Sequence, residues 1–237
     1  MARTAIWKTI TAALTHDIAT GKYAPGDRLP TEAQLAARFG VNRHTVRRAI
    51  SDMNESGLTY SRRGAGVFVA QRPTDYPIGK RVRFHQNLAA AGRVPAKEVL
   101  TLETRAASAH EAAQLGLGGD AMVHVYEGLS LADEQPIAIF RSIFPAARFP
   151  DLLAALEASR SVTTALAQGG VADYTRASTR LTAKLATATQ ALHLRLSEGA
   201  PILRSAGINV DPEGVPVEYG VTWFAGDRVT LTLNPGD

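Results

Sequence analysis

Residues 29–50 read Leu29-Pro30-Thr31-Glu32-Ala33-Gln34-Leu35-Ala36-Ala37-Arg38-Phe39-Gly40-Val41-Asn42-Arg43-His44-Thr45-Val46-Arg47-Arg48-Ala49-Ile50, and this stretch decides the architecture. Thr31 is a good helix N-cap, and acidic Glu32 suits the first turn. Leu35, Ala36 and Phe39 share one face, and Gly40 stands where helices commonly end on glycine. Only Gly40 and Val41 precede Asn42, a second N-cap, which opens a helix expected to run to about Ser56. Its apolar stripe is Val46, Ala49, Ile50 and Met53. At about 100° per residue, His44, Arg48 and Ser51 point away from that stripe, with Arg43 and Arg47 on one flank and Thr45 on the other. Two short helices with a tight turn, the second cationic on its outer face, describe a helix-turn-helix. The N-terminal end of such a second helix enters the major groove of DNA. Arginine there binds guanine O6 and N7 in a bidentate way, and Thr and His reach bases or phosphates.

Upstream, Ile6, Ile10, Leu14 and Ile18 recur every fourth residue, which predicts a helix with one apolar stripe ended by Gly21. Downstream of Gly57, two strand-like runs, Leu58 to Ser61 and Val67 to Ala70, flank Arg62-Arg63-Gly64-Ala65-Gly66. This predicts a β-hairpin whose basic, glycine-containing tip approaches a DNA backbone or minor groove closely. An arginine pair is also compatible with plain solvated surface.

Charge supports the same division. Residues 1–72 hold 11 Lys/Arg against 5 Asp/Glu, whereas the remaining 165 hold 15 against 17. A basic segment fused to a near-neutral one suggests a polyanion partner for the first part only, or a solvated basic surface. The 237 residues hold no cysteine, which excludes disulfides, zinc–thiolate sites and cysteine nucleophiles. No run of 18 apolar residues and no apolar signal-peptide core is present, so the expectation is a cytoplasmic protein with no membrane partner. The six histidines lack metal-ligand spacing, so neither a metal nor another cofactor is expected.

The run Gly26-Asp27-Arg28-Leu29-Pro30-Thr31-Glu32, then Leu35-Ala36, then Phe39 through Ala49, resembles the GntR family of winged-helix regulators over roughly residues 6–70. The resemblance implies DNA contacts at Arg43, His44, Thr45, Arg47 and Arg48 and at the wing residues Arg62, Arg63 and Gly64. Some members of the family carry a basic residue where Ala33 stands, and its absence removes one phosphate contact. Two prolines within Arg72-Pro73-Thr74-Asp75-Tyr76-Pro77 favour an extended connection. The expected domains are therefore 1–72, a linker at 73–79, and 80–237.

The second domain shows a weak internal repeat. His110 to Leu117 reads as a helix, followed by a strand from Met122 to Leu131, a turn at Asp133-Glu134, and a strand through Phe144. Ala188 to Leu196 reads as a helix, followed by a strand from Ile202 to Val210, the turn Asp211-Pro212-Glu213-Gly214, and a strand through Phe224. Val229 to Leu233 reads as a closing strand. Sequential hairpins imply an antiparallel sheet with helices on one side, hence α+β.

Leu131-Ala132-Asp133 with Pro136, the pairs Phe144-Pro145 and Phe149-Pro150, and Pro216-Val217-Glu218-Tyr219 with Gly226-Asp227-Arg228 resemble the effector-binding (UTRA) domain of the HutC subgroup of GntR regulators. That domain shares its fold with chorismate lyases. Asn42 through Ile50, Arg72 through Pro77, and Arg83-Phe84-His85-Gln86-Asn87-Leu88 resemble the phosphonate-metabolism regulators of the subgroup. This resemblance implies a homodimeric repressor of phosphonate or phosphate uptake genes, bound to an inverted-repeat double-stranded operator and controlled by a small anionic effector. A sugar phosphate and an imidazole-derived acid are the alternative effectors. Related sugar-phosphate sensors often carry two arginines in the strand before Asp133, where this chain has Gly128 and Ser130.

An anion pocket needs fixed positive charge and oriented N–H donors. The candidates are Arg83 and Phe84, Arg141, the helix start at Ser161 with Thr163, Arg176 and Arg180 flanking a strand-like run, and Glu218 with Tyr219. Each arginine also fits a surface salt bridge, Ser161 a plain N-cap, and Glu218 a solvated strand face. A lyase-like enzyme is the rival class, but no nucleophile–base motif such as Gly-x-Ser-x-Gly occurs. A constitutive architectural DNA binder leaves the larger domain unexplained.

Overall fold

A computed structural model describes residues 5–62, 64–70, 73–81 and 84–233, with the backbone alone at Arg62 and His85. The chain divides into two compact units, Met1–Arg72 and Pro73–Asp237.

In the first unit, helices α1 (Ile6–Ala19), α2 (Glu32–Phe39) and α3 (Arg43–Glu55) precede a hairpin of β1 (Thr59–Arg62) and β2 (Gly66–Val69). Ile10 and Leu14 of α1, Leu35 of α2, and Val46, Ala49, Ile50 and Met53 of α3 form one buried cluster. These are the stripes legible in the sequence. Thr31 and Gln34 make a reciprocal capping box at the start of α2, and Gly40 ends it in the left-handed conformation at φ 63°. Asn42 caps α3 by accepting from Thr45 N at 2.9 Å. The residues before α2 serve as a third partner for the wing: Leu29 N donates to Val67 O, and Val69 N donates to Asp27 O.

In the second unit, β3 (Thr74–Pro77) and α4 (Phe84–Ala90) precede two copies of one motif. The first copy is β4 (Pro95–Ala106), α5 (Ala109–Leu115), β5 (Met122–Ala132) and β6 (Gln135–Pro145). After α6 (Leu152–Ser159) and α7 (Val162–Gln168), the second is β7 (Thr175–Leu185), α8 (Ala188–Leu194), β8 (Pro201–Val210) and β9 (Pro216–Ala225). The strands form one six-stranded sheet in the order β4-β5-β6-β9-β8-β7, antiparallel at every pairing. The copies match in detail. Ser108 and Glu111 make a capping box on α5, and Thr187 and Gln190 make one on α8.

The structure departs from three expectations. Each copy begins with a long strand, β4 or β7, that the repeat did not include. Both are sheet edges with largely exposed residues, so neither carries the apolar signal of a buried strand. Helices cover both faces rather than one. Leu115 of α5 packs with Val125, Ile143 and Val221 on one face, whereas Leu152 and Leu156 of α6 and Leu166 of α7 pack with Tyr126 and Phe140 on the other. Finally, β10 (Val229–Thr232) does not extend the large sheet. It pairs in parallel with β3, so Thr74–Pro77, within the expected linker, is a strand of the second unit. Proline suits β3 because one side of this two-stranded ribbon needs no ladder donor.

Among the described residues, no helix is long and apolar enough to cross a membrane, and no group of three or more His, Asp and Glu is placed to hold a metal.

Arg228, which begins this closing segment, is 3% exposed. Its guanidinium donates to Pro136 O, to Leu194 O at 2.7 Å and to Arg195 O at 3.2 Å. It thereby satisfies the carbonyls that α8 leaves open at its C-terminus and ties them to the start of β6. Arg228→Met keeps the apolar stem but strands these acceptors, each worth about 1–3 kcal/mol when buried and unmet. The urea midpoint of the full chain, followed by tryptophan fluorescence, is expected to fall by an amount equivalent to about 3 kcal/mol; an unchanged midpoint would remove Arg228 from this role.

Candidate functional site

The first unit presents the open end of α3. Arg43 and His44 are exposed in its first turn. The other two arginines of α3 expected to contact DNA, Arg47 and Arg48, are already engaged. Arg47 grips the Glu32 carboxylate with both ends of its fork, Nε to Oε1 at 3.0 Å and Nη2 to Oε2 at 2.8 Å. That hydrogen bonding holds the Glu32 carboxyl below its ordinary range. Arg48 leans back onto α1, its guanidinium 4.8 Å from the Trp7 ring. Thr45 Oγ1 donates to the capping Asn42 Oδ1 at 3.0 Å. At the wing, Gly64 is exposed with φ 76°. Arg63 and the Arg62 side chain lie outside the described residues.

Two residues to which the sequence reading gave no role lie at the wing. Asn54 at the end of α3 accepts from Thr59 Oγ1 at 2.6 Å and donates to Ser61 Oγ at 3.0 Å. Arg28 lies against the wing base, so close to Gly66 that a Cβ there would stand 2.7 Å from Arg28 Nε. Gly66 also has φ 110°, so glycine is required twice over. Asn54 carried no local signal, because its partners are five and seven residues away in a strand. Arg28 stood in the motif next to the α2 cap without any cue to its direction.

The second unit holds a cavity of about 450 Å³ on the sheet face covered by α6 and α7. It draws Tyr76 from β3, Phe84 from α4, Lys97 from β4, Phe140 and Ser142 from β6, Ser161 and Thr163 from the α7 start, Arg176 from β7, and Asn209 and Glu218 from β8 and β9. Of the expected effector residues, Phe84, Ser161, Thr163, Arg176 and Glu218 therefore meet here. Ser161 also caps α7 by accepting from Thr164 N at 3.3 Å.

Arg141, Tyr219 and Arg180 do not line it, and strand alternation is the reason. Phe140 and Ser142 face the cavity, so Arg141 between them faces the opposite side, where its Nε donates to Glu127 at 2.7 Å. Tyr219 packs among the α5 residues and meets His110 Nε2 at 3.1 Å. Arg180 pairs in register with Ala206 of that same face and is exposed. Arg83 lies outside the described residues.

The cations come instead from the two edge strands. Lys97 Nζ lies 4.5 Å from the Phe140 ring, 5.4 Å from Tyr126 and 5.5 Å from Phe84, within cation–π range of all three. Burial there pulls its ammonium down to about 8, and the charge of Glu218 opposes the shift. Arg176 lies against Gly207, where a Cβ would stand 1.7 Å from Nη1, and its Nε is buried without a hydrogen-bond partner. The exposed edge strand β4 offered no apolar pattern that would have marked Lys97, whereas Arg176 stood among the candidates. The structure also accounts for Gly128: a Cβ there would stand 2.2 Å from Glu98 O and 3.0 Å from the Phe140 ring. An arginine has no room at that position, whereas Ser130 lines the cavity.

Residues 7–69 match the family described as bacterial regulatory proteins, gntR family, and residues 90–230 match the UTRA domain. The chain is 36% identical over 230 residues to "Uncharacterized HTH-type transcriptional regulator RB1450" of Rhizobium meliloti (strain 1021), covering 97% of this chain and 94% of that one. It is 35% identical over 213 residues to "Probable transcriptional regulator PhnF" of Escherichia coli (strain K12), covering 89% and 88%. The crystal structure of PhnF from Mycobacterium smegmatis shares the fold, with a TM-score of 0.68 at 24% identity over 95% of this chain and 98% of that one. These relatives are regulators rather than enzymes, and they span both units. The chain belongs to the GntR family of bacterial transcriptional regulators, with a winged helix followed by a UTRA domain.

Proposed function

We propose that this regulator represses genes for phosphonate or phosphate uptake and metabolism, and that a small phosphorus-containing anion in the UTRA cavity releases it from DNA. Residues 1–72 serve as the DNA-binding domain, 80–237 as the sensor, and 73–79 join them. The observation that carries the reading is the pair of cations, Lys97 and Arg176, brought from opposite sheet edges to one cavity. The resemblance of Asn42–Ile50, Arg72–Pro77 and Arg83–Leu88 to phosphonate-metabolism regulators supports the effector class. The lack of room at Gly128 argues against a pocket built on arginines in β5.

On the DNA side, Arg43 and His44 read base edges, while Arg47 and Arg48 set the orientation of α3 through Glu32 and Trp7. Two copies on an inverted repeat double the few base pairs one small domain contacts. Tyr76, a cavity residue on β3, lies four residues along the chain from the end of the first unit, so a change at the cavity is propagated into the connection. A typical coupling of about 1–3 kcal/mol would change operator affinity roughly 5- to 150-fold.

Arg43→Ala is expected to weaken operator binding by about 1–3 kcal/mol and to flatten discrimination between operator variants. Fluorescence anisotropy with a panel of half-site substitutions measures both, and unaltered discrimination would rule out base reading by Arg43.

Gly207→Ala pushes the Arg176 guanidinium from its seat without touching the winged helix. Charge-assisted hydrogen bonds are worth about 1.5–3 kcal/mol, so the variant should bind inorganic phosphate roughly 10- to 150-fold more weakly while its ligand-free operator affinity stays unchanged. Calorimetry and anisotropy on one preparation check the two halves, and equal phosphate affinity in variant and native protein would discard the Arg176 assignment.

Lys97 is an ammonium below about pH 8 and loses its charge as the pH rises through that value. Sulfate, whose charge is constant over this range, should therefore bind about tenfold more weakly per pH unit above it. Titration calorimetry across that pH would show the decline, and Lys97→Met should give a weak, flat profile. A native profile that stays flat would take Lys97 out of the anion site.

A further inference from the structure

The cavity that offers two cations to an anion also contains a carboxylate. Glu218 is 7% exposed and lies on the cavity wall. Asn209, itself 5% exposed, donates from Nδ2 to Glu218 Oε2 at 2.6 Å. Among the described residues, Asn209 is the hydrogen-bond partner of this carboxylate, at Oε2, and Lys97 interacts with it through its charge at a distance rather than as a direct ion pair. A buried carboxylate without a paired cation is costly in a folded protein, and in a receptor for a plain anion it also repels the ligand. Removing that cost would need only a neutral side chain at position 218. Its presence makes sense if the missing cation arrives with the ligand.

Charge counting leads to the same ligand. Among the described residues, Lys97, Arg176 and Glu218 give the cavity two cationic side chains and one carboxylate, an excess of one positive charge. A dianionic head that also carries an ammonium has one net negative charge and neutralises it, whereas a dianion without an amine leaves an excess. The walls between the charged groups are aromatic at Tyr76, Phe84 and Phe140, which suits a short alkyl chain.

Resting on the reading of the cavity as a phosphorus-anion site, we propose that the effector is a zwitterion. Its phosphonate or phosphate-monoester head lies against Lys97 and Arg176, and a primary ammonium, a short alkyl chain away, donates to Glu218 Oε1. Asn209 is a positioning residue: by occupying Oε2 it turns the second oxygen of the carboxylate toward the cavity.

The test is a calorimetric comparison, on the native full-length protein at pH 7, of 2-aminoethylphosphonate, 2-hydroxyethylphosphonate, ethylphosphonate and O-phosphoethanolamine. The aminoethyl compound is expected to bind about tenfold or more tightly than the hydroxyethyl and ethyl compounds, because a charge-assisted hydrogen bond replaces a neutral one or none. O-phosphoethanolamine separates the two heads: binding equal to that of aminoethylphosphonate means that the amine and dianion alone are read, and weaker binding narrows the effector to the phosphonate. Glu218→Gln should abolish the preference for the amine and tighten ethylphosphonate binding, since the repulsion is gone. Damaged folding cannot produce tighter binding, and the native comparison stands without the variant. Ethyl- or hydroxyethylphosphonate binding as tightly as the amine would overturn the zwitterion and leave the anion site standing. Binding of none of the four would remove both.

Discussion

The pairing of β6 with β9 is the seam on which the sensor half depends. It joins two copies of a β-α-β-β unit, and its register sets Phe140 opposite Thr222, Ser142 opposite Gly220 and Ile143 opposite Tyr219. Because side chains alternate with a period of two, a slip of one residue would exchange the faces of a whole strand. The register therefore sends Phe140, Ser142, Glu218 and Thr222 into the cavity, and Ile143, Tyr219 and Val221 against α5. Hydrophobic demand fixes it: each central strand is buried on both faces, so neither can shift without exposing one apolar set.

The cavity follows from what the seam leaves unfilled. Central strands supply aromatic and small polar walls, and the edge strands supply the charge. That division is physical. An edge strand has one lateral side in solvent, so a long cation anchored there reaches inward over apolar rings while its stem stays partly hydrated. Lys97 does so across Phe140 and Phe84, and Arg176 does so across Gly207. A cation on β5 or β6 would have to displace core, and at Gly128 the backbone of β4 forbids it.

The winged helix sorts its cations by similar means. Four basic residues, Arg43, His44, Arg47 and Arg48, lie on the second helix of the motif, but Glu32 takes Arg47 and Trp7 takes Arg48. Exposed ion pairs add little stability. Their consequence here is orientation, because a fork fixed on the first turn of α2 locks α3 to the helix before it. Arg43 and His44 remain directed outward at the end of α3 that a groove would receive.

The sequence by itself determined everything that rests on local or periodic signals. Thr31, Gly40 and Asn42 bounded the two helices, because caps act within one turn; the apolar stripes of α1 and α3 named their buried faces, because helix periodicity survives any tertiary context. The hairpins at Asp133-Glu134 and Asp211–Gly214 were legible for the same reason, and motif resemblance supplied the family. Only the tertiary structure decided which charges meet. Arg141 looked like an anion donor until strand alternation turned it to Glu127. Lys97 carried no signal in its exposed strand, and Arg176 was one arginine candidate among several, until the chain order β4-β5-β6-β9-β8-β7 placed their strands at opposite edges of one sheet. Strand β10 looked like the last rung of that sheet until it paired with β3 across more than 150 residues. Long-range pairing leaves no periodic trace in an exposed strand, because nothing on its solvent side constrains which residues are apolar.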